Sequence, residues 1–123
     1  MKWPILVFRT DKAVFDEDTI PKLFLEKSKK WINKVVAMRQ KDFGIWQEYT
    51  WKDCYEVVKR LSLGLIALGL KKGDKVSILG DNEVEWVWSE YATQSAGGVV
   101  GGLFPDSTSR EVKYIIGHSD SKF

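Results

Sequence analysis

The chain has one cysteine, Cys54, and one histidine, His118, among its 123 residues. A single thiol cannot close an intramolecular disulfide, and one Cys with one His cannot build a structural zinc site. Long apolar runs are missing as well. Ile5, Leu6, Val7 and Phe8 are followed at once by Arg9, Asp11 and Lys12, too short a run for the core of a signal peptide. The most apolar later stretch, 61–70, is interrupted by Ser62, Gly64 and Gly69 and is far shorter than a membrane span. Nor is there a strong charge of one sign: 19 Lys and Arg stand against 17 Asp and Glu, a net +2. Residues 1–62 carry 13 basic and 9 acidic side chains and residues 63–123 carry 6 and 8, so neither half has a nucleic-acid footprint. The expectation is a cytoplasmic chain with no transmembrane segment and no nucleic-acid partner.

What is present is ordinary globular material, 44% hydrophobic and 29% charged. Residues 1–18 show no clear period and read as an extended lead-in. Asp18 and Thr19 offer an N-cap and Pro21 suits a first helical turn, predicting a helix over 20–31 with Ile20, Leu23, Phe24, Lys27 and Trp31 along one side. Two runs rich in β-branched and aromatic residues, 35–40 and 45–49, flank Lys41-Asp42-Phe43-Gly44, which is hairpin chemistry with Gly44 free to take positive φ.

Thr50-x-x-Asp53 resembles a capping box opening a long helix. Its predicted buried stripe is Cys54, Val57, Val58, Leu61, Leu65 and Leu68, stopped by Gly69. A turn at Gly73-Asp74 precedes a strand over 75–79. Asn82-x-x-Glu85 predicts a second capping box, before a helix carrying Val84, Val87, Trp88, Tyr91, Ala92 and Ser95. An apolar strand over 99–104 ends at Pro105. Strand, helix and strand within about thirty residues is the βαβ signature of a parallel sheet. Thr108-x-x-Glu111 caps a last helix bearing Val112, Ile115 and Ile116 and closed by Gly117, after which Lys122-Phe123 reads as the opening of a further strand. A sheet edge left open in this way implies that the chain is a truncated part of something longer.

Several constellations invite a chemical reading. Gly97, Gly98, Gly101 and Gly102 follow a helix and open a strand, the reverse of a phosphate loop, so they are expected to mark close packing. His118, Ser119 and Asp120 are neighbours in a turn and lack the convergent geometry of a triad. Lys27, Lys29, Lys30 and Lys34 surround Trp31 and read as a solvated helix face. Cys54 lies on a buried stripe, and Glu83, Glu85 and Glu90 suit capping and solvation. Of Trp86 and Trp88, two apart on one helix, Trp88 is expected in the core and Trp86 against solvent or sequence outside this chain. No catalytic, cofactor-binding or metal-binding residue is assigned.

The order of these elements resembles a known family. Trp46-Gln47-Glu48-Tyr49-Thr50-Trp51, Leu65-x-x-Leu68-Gly69-Leu70-Lys71-x-Gly73-Asp74-x-Val76, Asn82-x-x-Glu85-Trp86, Ala96-Gly97-Gly98 and Pro105 leading to Tyr114-Ile115-Ile116 look like the start of an adenylate-forming, AMP-binding enzyme. Asp42-Phe43-Gly44-Ile45-Trp46 looks most like bacterial long-chain fatty acid CoA ligases, the acyl-CoA synthetases. The resemblance covers 19–123 and implies an α/β fold: the incomplete N-terminal part of the large subdomain, with a β-hairpin, helices and the first parallel βαβ unit. It implies that the intact enzyme activates a fatty acid with Mg-ATP to an acyl-adenylate and transfers it to CoA. The family's phosphate loop, adenosine contacts, hinge and catalytic lysine have no counterpart here, so ATP, Mg and CoA are expected to act only in the intact form, whose remainder is the expected partner. Two other readings stand beside this one, a ligase for another carboxylate and a free-standing homo-oligomeric interaction module.

Overall fold

The computed structural model describes residues 19–33 and 35–123; the lead-in expected over 1–18 lies outside the described residues. Helix α1 spans Ile20–Trp31, with Pro21 in its first turn. It buries Phe24 and Ser28, while Ile20, expected on the inner side, is 54% exposed. Ser28 can be buried because its hydroxyl donates to the Phe24 carbonyl at 2.7 Å, satisfying itself within the helix.

Strands β1 (Val36–Asp42) and β2 (Ile45–Thr50) pair antiparallel. Lys41 faces Trp46 and Asp42 faces Ile45, so the loop is two residues, Phe43-Gly44, and not the four the sequence suggests. Both take positive φ, 46° and 82°, as the right-handed twist of a tight hairpin requires. Gly44 does so freely. Phe43 adopts a conformation in which Cβ crowds the carbonyl, at a cost of about 1–2 kcal/mol.

Helix α2 (Trp51–Ala67) begins at the capping box read from the sequence: the Thr50 hydroxyl accepts from the Asp53 amide at 3.2 Å and Asp53 Oδ2 accepts from the Thr50 amide at 2.9 Å. Its buried face is Cys54, Val58 and Ser62, whereas Leu61 and Leu68, expected inside, are 41% and 72% exposed. Steps of four set the ridge that meets helix α3 (Val84–Ser95). That helix buries Val84, Trp88, Ala92 and Thr93, with Ser95 outside. The capping box expected from Asn82 and Glu85 does not form. Glu83 is the N-cap, without a side-chain bond, and Gln40 of β1 takes the Val84 amide instead, with Oε1 accepting at 2.8 Å.

The core lies where α1, α2, α3 and the hairpin meet, around Phe24, Cys54, Val58, Val84, Trp88 and Ala92. Aromatic contacts bind its parts together. Phe24 stacks on Tyr91 with ring centroids 4.9 Å apart, Tyr49 of β2 meets Trp88 edge-on at 5.1 Å, and Trp31 tilts onto Trp51 at 5.5 Å.

Strands β3 (Lys75–Leu79) and β4 (Val99–Leu103) run parallel, in register from Lys75 with Val99 to Leu79 with Leu103, with α3 as the crossover. Helix α4 (Ser109–Ser119) opens at the Thr108 and Glu111 capping box. It runs through Gly117, expected to close it, and ends at Asp120, which takes the left-handed conformation at φ 53° that Asp tolerates. The chain then turns back beside β3. Lys122 donates its amide to the Lys75 carbonyl at 2.8 Å, Ser77 donates to the Phe123 carbonyl at 2.9 Å, and Ser121 bridges Lys75 in parallel. The strand expected to open at Lys122-Phe123 is represented by this single bridge at Ser121 and these two hydrogen bonds, and no strand is formed at 122–123. Lys122 Nζ also binds Asp74 Oδ2 at 2.8 Å and the Gly69 carbonyl at 2.7 Å, tying this end to the turns before β3.

Candidate functional site at the carboxyl ends of the parallel strands

In open α/β sheets, ligands bind outside the carboxyl ends of the strands, where the connecting loops diverge. A cavity of about 410 Å³ opens there, lined by Gly80, Asn82, Trp86, Gly102, Leu103, Phe104 and Pro105. Gly80 and Asn82 come from the turn after β3, Trp86 from the first turn of α3, and the rest from the end of β4 and the turn beyond it. Trp86, expected against solvent or absent sequence, is half-buried and lines this open cavity. Its indole lies across the strand ends, with Cζ2 3.0 Å and Cδ1 3.9 Å from where a Cβ on Gly102 and on Gly80 would stand. The two glycines leave room for the ring, and the ring forms the cavity wall.

Of the remaining glycines, Gly98 bears out the packing reading and Gly101 does not, since a Cβ there would meet nothing nearer than Val76 O at 4.0 Å. A Cβ on Gly98 would stand 2.9 Å from Thr93 Cγ2 and 3.2 Å from the carbonyl oxygens of Asp74 and Thr93. Gly97 takes φ 85°, turning the chain from α3 into β4.

The other sequence candidates do not converge. His118 stacks on Tyr114 at 5.6 Å and is exposed, and the Ser119 hydroxyl bonds to the Ile116 carbonyl and to Ser121, so no triad forms. Burial pushes the Cys54 thiol up, which disfavours the thiolate a nucleophile needs. Lys27 and Lys30 lie over the Trp31 ring at 5.4 and 5.5 Å, and Lys27 pairs with Glu26 at 2.9 Å; Lys34 lies outside the described residues. Among the described residues, no three His, Cys, Asp or Glu side chains are grouped to hold a metal. Among the described residues, no charged side chain lines the cavity. It is an apolar recess with one amide, that of Asn82, chemistry suited to an uncharged chain or a ring face. No helix among the described residues is long and apolar enough to cross a membrane.

Sequence reasoning missed Trp86 as a wall and Gln40 as the cap of α3. A signal for the first was present: Gly80 and Gly102 fall at the ends of two predicted parallel strands, and a large residue in the first turn of the crossover helix can lie over both. No local signal marks Gln40, which acts from 44 residues away.

The antiparallel hairpin, four helices and parallel strand pair match part of the N-terminal subdomains of adenylate-forming enzymes. The N-terminal subdomain of Klebsiella oxytoca NpsA shares this fold with a TM-score of 0.71 at 20% identity, over 83% of this chain and 26% of that one. The chain belongs to the AMP-binding enzyme family, which it matches over residues 24–123. Among its relatives, the long-chain-fatty-acid–CoA ligase ACSBG2 of Mus musculus is 34% identical over 98 residues, 80% of this chain and 14% of that protein. The 4-hydroxybutyrate–CoA ligase 2 of Metallosphaera sedula is 33% identical over 103 residues, 84% of this chain and 18% of that protein. The chain therefore spans about one seventh of the length of the first of these.

Proposed function

We propose that this chain supplies the N-terminal scaffold of a cytoplasmic ligase that activates a long-chain fatty acid with Mg-ATP and transfers the acyl group to CoA. In that reaction a carboxylate oxygen attacks the α-phosphorus and pyrophosphate leaves; the CoA thiol then attacks the acyl carbonyl and AMP leaves. Residues 19–123 take no bond-making part. They hold one wall at the carboxyl ends of the strands, with Trp86 and Asn82 on it, and the remainder of the enzyme brings the phosphate-binding and catalytic groups.

The observation that carries this reading is the 34% identity to a long-chain-fatty-acid–CoA ligase, sustained over 98 residues, 80% of this chain. Similar identity to a 4-hydroxybutyrate–CoA ligase supports a second reading, a ligase for a shorter carboxylate. Pyrophosphate release by the full-length protein across acyl chain lengths separates the two. Preference for palmitate over 4-hydroxybutyrate is the expected result; the reverse preference overturns the long-chain assignment. The 123 residues alone are expected to bind no ATP in isothermal titration, and micromolar binding would overturn the division of labour.

A further inference from the structure

Helix α3 is held at its first turn by a side chain from another element. Its N-cap, Glu83, makes no side-chain bond, and the Val84 amide donates instead to Gln40 Oε1 at 2.8 Å. One turn on, the hairpin grips the helix again, where Tyr49 of β2 meets Trp88 edge-on at 5.1 Å. Trp86 and Trp88 are two residues apart, about 200° around the helix, so they stand on nearly opposite faces. Trp88 is buried against the hairpin, while Trp86 lies across the strand ends with Cζ2 3.0 Å from where a Cβ on Gly102 would stand. The first turn of α3 is therefore braced by the hairpin on one side and closes over the strand ends on the other.

The brace bears on the cavity wall through the backbone. Val84 is buried, so an amide there that loses its acceptor must reach water by opening the turn. The Trp86 amide donates to the Glu83 carbonyl at 3.1 Å, within that same turn, and Asn82 immediately precedes it. Fraying at Val84 would carry both cavity-lining side chains with it.

We propose that Gln40 is a positioning residue: by capping α3 from the hairpin it fixes the Trp86 indole over the strand ends and so sets the fit of the substrate that lies on that wall. The substrate part rests on the ligase reading; the hold on the wall rests on the Gln40–Val84 bond. One hydrogen bond of this kind favours the ordered over the frayed turn by roughly 2- to 12-fold, and a substrate that needs the ordered turn loses apparent affinity by up to that factor.

The test uses the full-length protein with Gln40→Met, which keeps the side chain's length and removes its acceptor, and Gln40→Glu, which keeps the acceptor at a helix start that favours negative charge. KM and kcat for palmitate, ATP and CoA are measured in both, in Trp86→Phe, in the Gln40→Met, Trp86→Phe double variant, and in Thr50→Ala as a control destabilised elsewhere. Gln40→Met is expected to raise the KM of one substrate about threefold or more with kcat nearly kept, and Gln40→Glu to restore it. Trp86→Phe should raise the KM of that same substrate, and with phenylalanine at 86 the Gln40 substitution should add nothing. Equal effects of Gln40→Met and Thr50→Ala would overturn the proposal in favour of a purely structural cap. A Trp86→Phe variant with every KM unchanged would overturn it too, the recess then being filled by the remainder of the enzyme. Hydrogen exchange over residues 82–88, read without substrate, should quicken in Gln40→Met and not in Thr50→Ala; unchanged exchange would overturn the hold on the wall whether or not the parent protein forms acyl-CoA. A parent protein that forms none overturns the ligase reading by itself. If Gln40→Met does not fold, Gln40→Asn, one methylene too short to reach the amide, carries the same expectations.

Discussion

Replacing Gly98 by alanine adds one methyl group at the most crowded of the glycines. That methyl would stand 2.9 Å from Thr93 Cγ2 and 3.2 Å from two carbonyl oxygens, those of Asp74 and Thr93. All three distances fall inside ordinary contact. The oxygens belong to backbone that is already committed, since Asp74 O accepts from Val99 at 2.8 Å and Thr93 O accepts from Gly98 itself at 2.9 Å. Thr93 is wholly buried and has no room to turn away. Overpacking of this kind costs about 1–3 kcal/mol, and the restriction of the unfolded chain by alanine returns about 0.4–1 kcal/mol. A net loss of about 1–2 kcal/mol follows, which lowers the melting temperature by roughly 4–10 °C. Gly101, three residues on, is the internal control. A methyl there meets nothing nearer than Val76 O at 4.0 Å, so Gly101→Ala is expected to be neutral or to raise stability by up to about 1 kcal/mol. Urea and thermal unfolding of both variants, followed by circular dichroism, decide the matter. Equal midpoints for Gly98→Ala and the parent protein, or equal destabilisation at 98 and 101, would refute the close-packing account.

Thr50→Ala removes the reciprocal cap of α2 and is expected to cost about 1 kcal/mol in the same unfolding assay. Gln40→Leu strips the Val84 amide of its acceptor and is expected to cost about 1–2 kcal/mol, whereas Asn82→Ala, which disturbs no cap, should leave the midpoint within about 0.5 kcal/mol. Hydrogen bonds from Thr50 lower the pKa of Asp53, the Lys122 ammonium lowers that of Asp74, and Thr108 lowers that of Glu111. Each carboxylate therefore adds stability above its unfolded pKa that is lost as the pH falls through its lower folded value. Melting temperature should hold near neutrality and drop on acidification from about pH 4 downward, and Thr50→Ala should flatten part of that drop. Cys54 is expected to resist a thiol reagent in the folded protein and to react promptly in denaturant, as read by absorbance; prompt reaction without denaturant would contradict its burial.

Three sequence patterns of nearly the same form had different outcomes, and the difference is physical. Thr50 with Asp53 and Thr108 with Glu111 form capping boxes because each needs only partners three residues apart. Asn82 with Glu85 has the same spacing and forms none, because the side chain of Gln40 reaches the first amide of α3 from the hairpin. A local pattern states what can form; a distant competitor decides whether it does. The inner face of α2 shows the same limit. Ser62 is buried and Leu68 is exposed, against hydrophobicity, because the approach of α3 selects the residues that lie on the contact ridge.

The candidate site was legible in its parts and not in its assembly. Strands 75–79 and 99–104, the helix between them and the glycines at their ends could all be read from local chemistry, and the parallel pairing followed from their order. What could not be read is that the register sets Gly102 beside Ile78, so that both strand ends face the first turn of α3 and Trp86 covers them. The hairpin tip is the converse case. Turn preferences predict asparagine or glycine at position 43, and the chain carries phenylalanine there, strained and almost fully exposed. Packing among the described residues does not account for this, since the ring makes none. Phe43→Asn relieves the left-handed strain at the turn and is expected to leave the unfolding midpoint unchanged or higher. A fall in stability on that substitution would mean that the phenylalanine packs where the structure leaves it bare.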